Sequence, residues 1–163
     1  GVYTSPVQRA LDTAEAIARH HRIEPVKIDD LREVEVFRDA PQHLSSLEFM
    51  GSEALATLRH RFIFERSWDV YPYSEPSAEF RRRVINAIET IISDYAGRRV
   101  AVVCHGGVIN AYVSHVIGSK YDVLFRPAHT SISIVASADD IHTLYTLNDV
   151  HHLSTDDGDF RSV

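Results

Sequence analysis

The sequence predicts an α/β fold, a three-layer sandwich in which helices cover both faces of a mostly parallel central sheet. Strand-like segments alternate with segments of helical periodicity along the 163 residues. The run Val100–Cys104 is apolar without interruption, which is typical of a strand buried on both faces of a parallel sheet. No repeat, low-complexity tract or linker divides the sequence, so we expect a single domain over residues 1–163.

The first predicted elements are a short strand and a helix. A strand-like Val-Tyr pair precedes Ser5 and Pro6, which suit the N-cap and the first position of a helix. Apolar residues then recur at the spacing of one helix face, which predicts a helix to about His21. These residues are Val7, Ala10, Leu11, Ala14, Ile17 and Ala18.

The middle of the chain is less regular. Val26–Ile28 and residues 31–36 have extended patterns, and the alternation in the second segment places Glu33 and Glu35 on one side. Residues 37–74, which we call the lid region, are rich in arginine, histidine and aromatic side chains and have no clear period. We expect irregular helices and loops there, covering one end of the sheet.

The second half of the chain returns to a regular α/β pattern. Gly97 and Gly118 follow two segments of helical periodicity, where a glycine commonly ends a helix. The predicted elements are a helix from residues 74–77 to about 95, a strand at 100–104, a helix at 108–117, and strands at 131–135 and 142–147.

Composition limits the classes of function. A net charge of -6 argues against a general nucleic-acid binder, because such a protein needs a clustered basic surface. No apolar run approaches the length of a membrane span, so we expect no membrane partner and a cytoplasmic location. Cys104 is the only cysteine, and the histidines show no spacing that demands a metal. We expect no bound metal and no cofactor.

The stretch VVCHGG presents either Cys104 or His105 beyond the end of a strand, where α/β proteins place functional groups. A thiolate phosphatase would need an arginine at the sixth position after the cysteine, and that position is Asn110. The alternative for Cys104 is a small buried residue that packs in the sheet. We therefore expect His105 to be the side chain that is presented.

Several segments resemble the histidine phosphatase superfamily, the group of phosphoglycerate mutases and broad acid phosphatases. TSPVQRALDTA at Thr4–Ala14, LRE at Leu31–Glu33 and VVCHGG resemble the family's TSPxxRAxxTA, L-x-E and H-G segments, in the same order. SEPSAEFRRRV and LNDVHHL are similar to the family's later ES-containing segment and closing strand. The resemblance covers nearly the whole chain, and TSPVQRALDT is its most specific part.

The resemblance implies a role for each matching residue. Arg9, in the first turn of the first helix, would fork onto two phosphate oxygens; the alternative is a solvated surface arginine. His105 would be the second active-site histidine, which donates a hydrogen bond to the phosphoryl group, and Gly106 would let backbone approach that ligand. Glu33 would be the general acid and base, with Glu35 as the alternative carboxylate on the same face.

The family's nucleophile is a histidine in an R-H-G motif, which attacks phosphorus and forms a phosphohistidine. This chain contains no such motif, since neither Arg19-His20 nor Arg59-His60 is followed by glycine. We expect that an N-terminal segment with the motif and a central strand is missing, which leaves a sheet edge exposed. The alternative is a degenerate member that binds phosphate without turnover. In both cases the 163-residue chain alone is expected to have little or no turnover.

The predicted function of the complete protein is the hydrolysis of a small phosphomonoester, with homo-oligomer formation left open. After Glu33 the sequence VEVFRDAPQ lacks the G-x-W/F-E-G pattern of close relatives and the R-x-Y-G of mutases, which favours a phosphatase. The alternatives are a phosphoglycerate mutase-type phosphotransferase and a non-catalytic phosphate-ligand or protein-binding module.

Two interpretations remain for the arginine and aromatic residues of the lid region. They either contact the leaving group of the substrate or pack the lid region onto the sheet. The residues are Arg59, Arg61, Phe62, Phe64, Trp68, Tyr71 and Tyr73.

Overall fold

The structure is a computed structural model, and it describes residues 1–155 and 158–159. Its strands are β1 (Val2–Thr4), β2 (Val26–Lys27), β3 (Ala101–Val103), β4 (Ile132–Ala138), β5 (Ile141–Asp149), β6 (Ser154–Thr155) and β7 (Gly158–Asp159). Its α-helices are α1 (Gln8–His21), α2 (Ser46–Met50), α3 (Ser52–Glu65), α4 (Ser77–Asp94) and α5 (Gly106–Val116). Short 3-10 helices form at Asp29–Leu31, Trp68–Val70 and His151–Leu153.

A parallel sheet with helices on both faces confirms the predicted α/β fold. The strand order is β2-β1-β3, and Tyr3 of β1 pairs with Val26 on one side and Val102 on the other. On one face, Val2 packs against Ala14 and Ala18 of α1. On the other, Tyr3 belongs to a core formed mainly by α4 and α5. That core includes Phe80, Val84, Ile91, Val108 and Ala111.

The last two long strands were predicted correctly, but they do not join the parallel sheet. β4 and β5 pair with each other in an antiparallel hairpin, and within residues 1–155 and 158–159 no ladder connects β4 to β3. The expectation that Val100–Cys104 is fully buried was wrong, because each of these residues is partly exposed. β3 is paired on one side only in the described part of the chain, which leaves its side chains partly accessible.

Residues 31–36 are not a strand, contrary to the sequence prediction. After the 3-10 turn at Asp29–Leu31 the backbone is irregular. The reason is that the Arg83 side chain donates to the carbonyl oxygens of Asp30, Arg32 and Glu33, at 2.7, 2.9 and 3.3 Å. A guanidinium therefore satisfies backbone groups that a neighbouring strand would otherwise bond.

The lid region contains α2 and α3, and its aromatic residues mostly pack against one another. The Phe62 ring lies 4.7 Å from the Trp68 ring and 5.4 Å from the Tyr71 ring, measured between centroids. Phe64 is exposed, and Arg61 forms an ion pair with Glu65 on the surface of α3. These contacts support the packing interpretation for Phe62, Trp68 and Tyr71. None of the helices in the described residues has both the length and the apolar character to cross a bilayer.

Candidate active site

His105 is the N-cap of α5 and lies directly beyond β3. Its side chain is buried, its Nδ1 lies 3.0 Å from Nη2 of Arg9, and its Nε2 lies 2.8 Å from Oγ of Ser5. A guanidinium has only donors, so Nδ1 accepts from Arg9, and the ring proton resides on Nε2 and is donated to Ser5. These contacts define a neutral imidazole in one tautomer.

The surroundings keep His105 neutral at physiological pH. Burial, and after it the positive charge of Arg9, lower the pKa of His105 to about 4. A bound dianion would act in the opposite direction, because a negative charge close to the ring favours imidazolium. The protonation state of His105 is thus coupled to whatever ligand Arg9 holds.

The start of α1 differs from the sequence prediction in a way that serves this site. The helix begins at Gln8 with Val7 as its N-cap, and not at Ser5. Ser5 is fully buried and its hydroxyl accepts from the Val7 N–H at 3.3 Å while also bonding His105. The predicted capping residue is therefore used to orient the histidine.

Arg9 lies in the first turn of α1 and is exposed to solvent. Within the described residues, the contact of its guanidinium is with His105, and no carboxylate forms an ion pair with it. An exposed guanidinium without a carboxylate partner, at the positive end of a helix dipole, is available to an anion.

Glu33 reaches the N-terminus of α5. Its Oε2 accepts from the Gly107 N–H at 3.0 Å, and its Oε1 accepts from the Val34 N–H at 3.1 Å. A Cβ on Gly107 would overlap Glu33 Oε1, so a side chain there would displace this carboxylate from its position. The predicted start of this helix at Val108 was late, because Gly106 and Gly107 form its first turn.

The structure distinguishes Glu33 from Glu35 as the candidate carboxylate, and His105 from Cys104 as the side chain that VVCHGG presents. Glu35 is exposed, and its backbone bonds Glu75 instead of α5. Although part of the Cys104 residue is accessible, the residue packs against the core of α4 and α5, and desolvation of its thiol raises the pKa to about 12. A thiol with that pKa stays protonated at neutral pH and is a poor nucleophile.

Asn110 occupies the position at which a thiolate phosphatase would have its arginine, and its amide is fully engaged. It donates to the carbonyl oxygens of Gly106 and Phe125, at 2.9 and 3.0 Å. Its oxygen accepts from the N–H groups of Leu124 and Phe125, at 2.7 and 3.2 Å. Asn110 therefore fixes the segment after α5 against the start of that helix.

Sequence reasoning missed a buried ion pair that supports Glu33. Arg83 Nε lies 2.6 Å from Glu75 Oε1, and Arg83 Nη2 lies 2.8 Å from Glu75 Oε2. The same guanidinium holds the backbone of the Glu33 segment, and Glu75 Oε2 accepts from the Glu35 N–H at 3.4 Å. Both residues are in SEPSAEFRRRV, but nothing in that pattern indicates that they form an ion pair or that they hydrogen-bond to the backbone of residues 30–35.

A family model described as histidine phosphatase superfamily (branch 1) matches residues 1–150. The chain belongs to the histidine phosphatase superfamily. The chain is 29% identical over 160 residues to a metal-independent phosphoserine phosphatase of Arabidopsis thaliana, covering 94% of this chain and 63% of that protein. It is 26% identical over 154 residues to the uncharacterized phosphatase PhoE of Bacillus subtilis, covering 94% of this chain and 72% of that protein. The chain thus spans less than two thirds of the length of the plant relative.

Solved structures of other proteins share the histidine phosphatase fold. Bacillus stearothermophilus YhfR superposes with a TM-score of 0.76 at 22% identity, over 93% of this chain and 75% of that chain. The alpha-ribazole phosphatase of Shigella flexneri gives a TM-score of 0.70 at 21% identity, over 91% and 72%. A phosphoglycerate mutase of Bacillus anthracis gives 0.65 at 19% identity, over 91% and 72%.

The stability of the chain is expected to fall in acid because of His105. The unfolded chain takes up a proton on this residue near pH 6.5, whereas the folded chain does so only near pH 4. The contribution of His105 to the free energy of unfolding is fully present above about pH 6.5. It decreases by roughly 3 kcal/mol as the pH falls to about 4, since each pH unit between the two pKa values corresponds to about 1.4 kcal/mol. Urea unfolding between pH 7.5 and 4 measures this loss.

The control for this titration is a pair of glutamine variants. His105→Gln should reduce the loss of stability in acid, while His60→Gln, on the exposed surface of α3, should keep it. An equal loss of stability in wild type and His105→Gln would contradict the assignment of His105 as a buried neutral imidazole.

Proposed function

We propose that this chain provides the phosphoryl-binding and proton-transferring groups of a phosphomonoester hydrolase that acts through a phosphohistidine intermediate. The observation that carries the proposal is the contact between Arg9 and His105 at the N-terminus of α5, beside the Glu33 carboxylate. Guanidinium groups and helix N-terminal N–H groups are favourable partners of phosphate. The names of the plant and Bacillus subtilis relatives support a phosphatase.

In this proposal, phosphate takes the place of the contact between Arg9 and His105. Arg9 turns its forked N–H groups onto two phosphoryl oxygens, on the Nδ1 side of the imidazole. The dianion raises the pKa of His105, so that Nδ1 gains a proton and donates to a phosphoryl oxygen while Nε2–H stays on Ser5. The N–H of Gly106, at the start of α5, faces the same anion.

Glu33 transfers the proton in both chemical steps. As the nucleophilic histidine forms the N–P bond, the bond from phosphorus to the leaving oxygen breaks, and the Glu33 acid protonates that oxygen. In the second step the Glu33 carboxylate takes a proton from water, whose oxygen bonds phosphorus as the N–P bond breaks. The nucleophile in this scheme is an R-H-G histidine, which is not among the 163 residues. Arg9 and the His105 imidazolium neutralise the charge that Mg²⁺ balances in other phosphoryl transfers.

The test is an assay of the intact gene's product with phenyl phosphate, together with a search for acid-labile phosphate on histidine. Turnover with a phosphohistidine is the expected result, and the 163-residue chain alone is expected to have little or none. The codons upstream of Gly1 provide a second test, since an R-H-G after an apolar strand is expected there. Activity that needs a bisphosphate primer would favour the mutase alternative.

A second candidate function is a phosphate-ligand or protein-binding module without turnover. It is favoured by the contact of Arg9 with His105 at the N-terminus of α5, because these groups can hold a phosphate without any chemical step. Phosphate binding that depends on Arg9, with neither turnover nor phosphohistidine in the intact gene's product, would establish this module instead of the hydrolase. A small phosphorylated ligand is the proposed partner of the hydrolase and of the phosphate-ligand module, and a cytoplasmic location stays a prediction of the sequence.

A further inference from the structure

Three potential metal ligands meet at the far end of α5 from His105. Glu89 comes from α4, His115 from the last turn of α5 and His142 from β5. One ligand atom of each lies within 4.8 Å of the other two. His105 and His115 are separated along α5 by about 15 Å, at a rise of roughly 1.5 Å per residue, so this cluster is distinct from the candidate active site.

The distances within the cluster suit a metal ion. Nε2 of His142 lies 3.3 Å from Oε1 of Glu89, and Nε2 of His115 lies 3.9 Å from the same oxygen. In a tetrahedral zinc site with bonds of about 2.1 Å, neighbouring ligand atoms are about 3.4 Å apart. Small side-chain adjustments therefore bring the three atoms to coordination distance.

Two further contacts orient the ligands in the way that outer-shell groups do at metal sites. The other ring nitrogen of His142, Nδ1, lies 2.9 Å from Oγ of Ser137 on β4. Tyr112 donates its hydroxyl to Oε1 of Glu89 at 2.8 Å and so fixes that carboxylate. The Ser137 hydroxyl is able to accept from Nδ1–H of His142, and in that tautomer Nε2 has a free electron pair for a metal.

The competing interpretation is a pair of ordinary histidine–glutamate contacts. The side chains of Glu89 and His115 are 35% and 40% exposed, and exposed ion pairs contribute about 0–1 kcal/mol to stability. That interpretation explains why one imidazole lies beside the Glu89 carboxylate. Ring contacts among Tyr112, His115 and His142 add packing to it, but packing alone does not require both Nε2 atoms to face the same carboxylate oxygen.

We propose that Glu89, His115 and His142 bind a Zn²⁺ ion, with solvent in the fourth position. Two imidazole nitrogens and one carboxylate oxygen suit Zn²⁺, whereas Mg²⁺ and Ca²⁺ prefer oxygen ligands. The ion would join the β4–β5 hairpin to α4 and α5. In the described residues, no strand pairing connects this hairpin to the parallel sheet. This proposal differs from the expectation of no bound metal that the sequence spacing gave, and the site is independent of the proposed hydrolase activity.

The test is a Zn²⁺ titration of the metal-stripped 163-residue chain by isothermal calorimetry. We expect one Zn²⁺ per chain and no displacement by excess Mg²⁺. His115→Ala and His142→Ala should each weaken binding at least tenfold, because loss of an outer-shell partner alone typically costs about 10–100-fold. Ser137→Ala removes the outer-shell partner of His142 and should weaken Zn²⁺ binding by about 10–100-fold. Bound Co²⁺ should give a visible absorption band that is absent in both histidine variants.

His20→Ala is the matched control, because His20 and His21 form an exposed pair of neighbouring rings that would bind metal adventitiously. Unchanged Zn²⁺ affinity in His115→Ala would overturn the proposal, as would loss of binding in His20→Ala or displacement by Mg²⁺. His115 is exposed on α5, so its variant decides the question even if His142→Ala does not fold. Zn²⁺ should also raise the thermal unfolding midpoint of wild type and not that of His115→Ala.

Discussion

Replacing Glu33 with glutamine is expected to slow the hydrolysis of phenyl phosphate by the intact gene's product by about 10²–10⁴-fold, because a positioned general acid contributes that much to the rate. Glutamine keeps the size of the side chain, but its amide has no acidic proton to transfer to the leaving oxygen. p-Nitrophenolate leaves readily without a proton, so p-nitrophenyl phosphate should show a much smaller loss. Steady-state kinetics with the two esters measure the difference.

The control for Glu33→Gln is Glu35→Gln. Glu35 is exposed, lies two residues away and contacts Glu75 through its backbone, so its side-chain charge should have little effect. Equal losses on both esters in Glu33→Gln would contradict proton donation by Glu33 and indicate a structural role. A large, ester-dependent loss in Glu35→Gln would assign the proton transfer to the other carboxylate.

Breaking the ion pair of Glu75 and Arg83 is expected to lower the free energy of unfolding by about 3–5 kcal/mol, the usual result when one partner of a buried pair is removed. In Arg83→Met, Glu75, which is 4% exposed, loses the guanidinium that donates to both of its carboxylate oxygens. The carbonyl oxygens of Asp30 and Arg32 also lose their donor. Urea unfolding of the 163-residue chain measures the effect.

Arg61→Met is the matched control for Arg83→Met, because Arg61 forms its ion pair with Glu65 one turn along an exposed helix face. That pair is expected to contribute only about 0.3–0.5 kcal/mol. The double variant Glu75→Gln with Arg83→Met should cost less than Arg83→Met alone, since it leaves no buried unpaired charge. If Arg83→Met costs no more than Arg61→Met, the pair does not hold the Glu33 segment.

The helices were predictable because each buries one face at helical spacing. Phe80, Val84, Ile88 and Ile91 recur on α4 at the period that brings them into one core, and the start at Ser77 lies within the predicted range. The roles of Arg9, Glu33 and His105 were implied by the resemblance of three short segments to the family and stay predictions, although the structure does place Arg9 on His105 and Glu33 on the N-terminus of α5.

The errors arose where a distant side chain replaced a local interaction. Residues 31–36 read as a strand, but Arg83, far along the chain, takes up their carbonyl groups. Ser5 read as a helix cap, but His105 uses its hydroxyl. The meeting of Glu89 and His142 is likewise produced by tertiary packing, because α5 packs against both α4 and β5, and no sequence spacing encodes it.

The most direct test of the account is a phosphate titration of the 163-residue chain followed by NMR of the histidine rings. We predict that the His105 signals move to saturation with one phosphate per chain, and that the pKa of His105 rises from about 4 as the anion binds. Arg9→Ala should weaken this binding by about 10–100-fold, in line with hydrogen bonds to charged groups of about 1.5–3 kcal/mol, while Arg19→Ala on the exposed side of α1 should not. His105 signals that do not respond to phosphate, or that respond equally in Arg9→Ala, would contradict the proposal that Arg9 and His105 form a phosphoryl site.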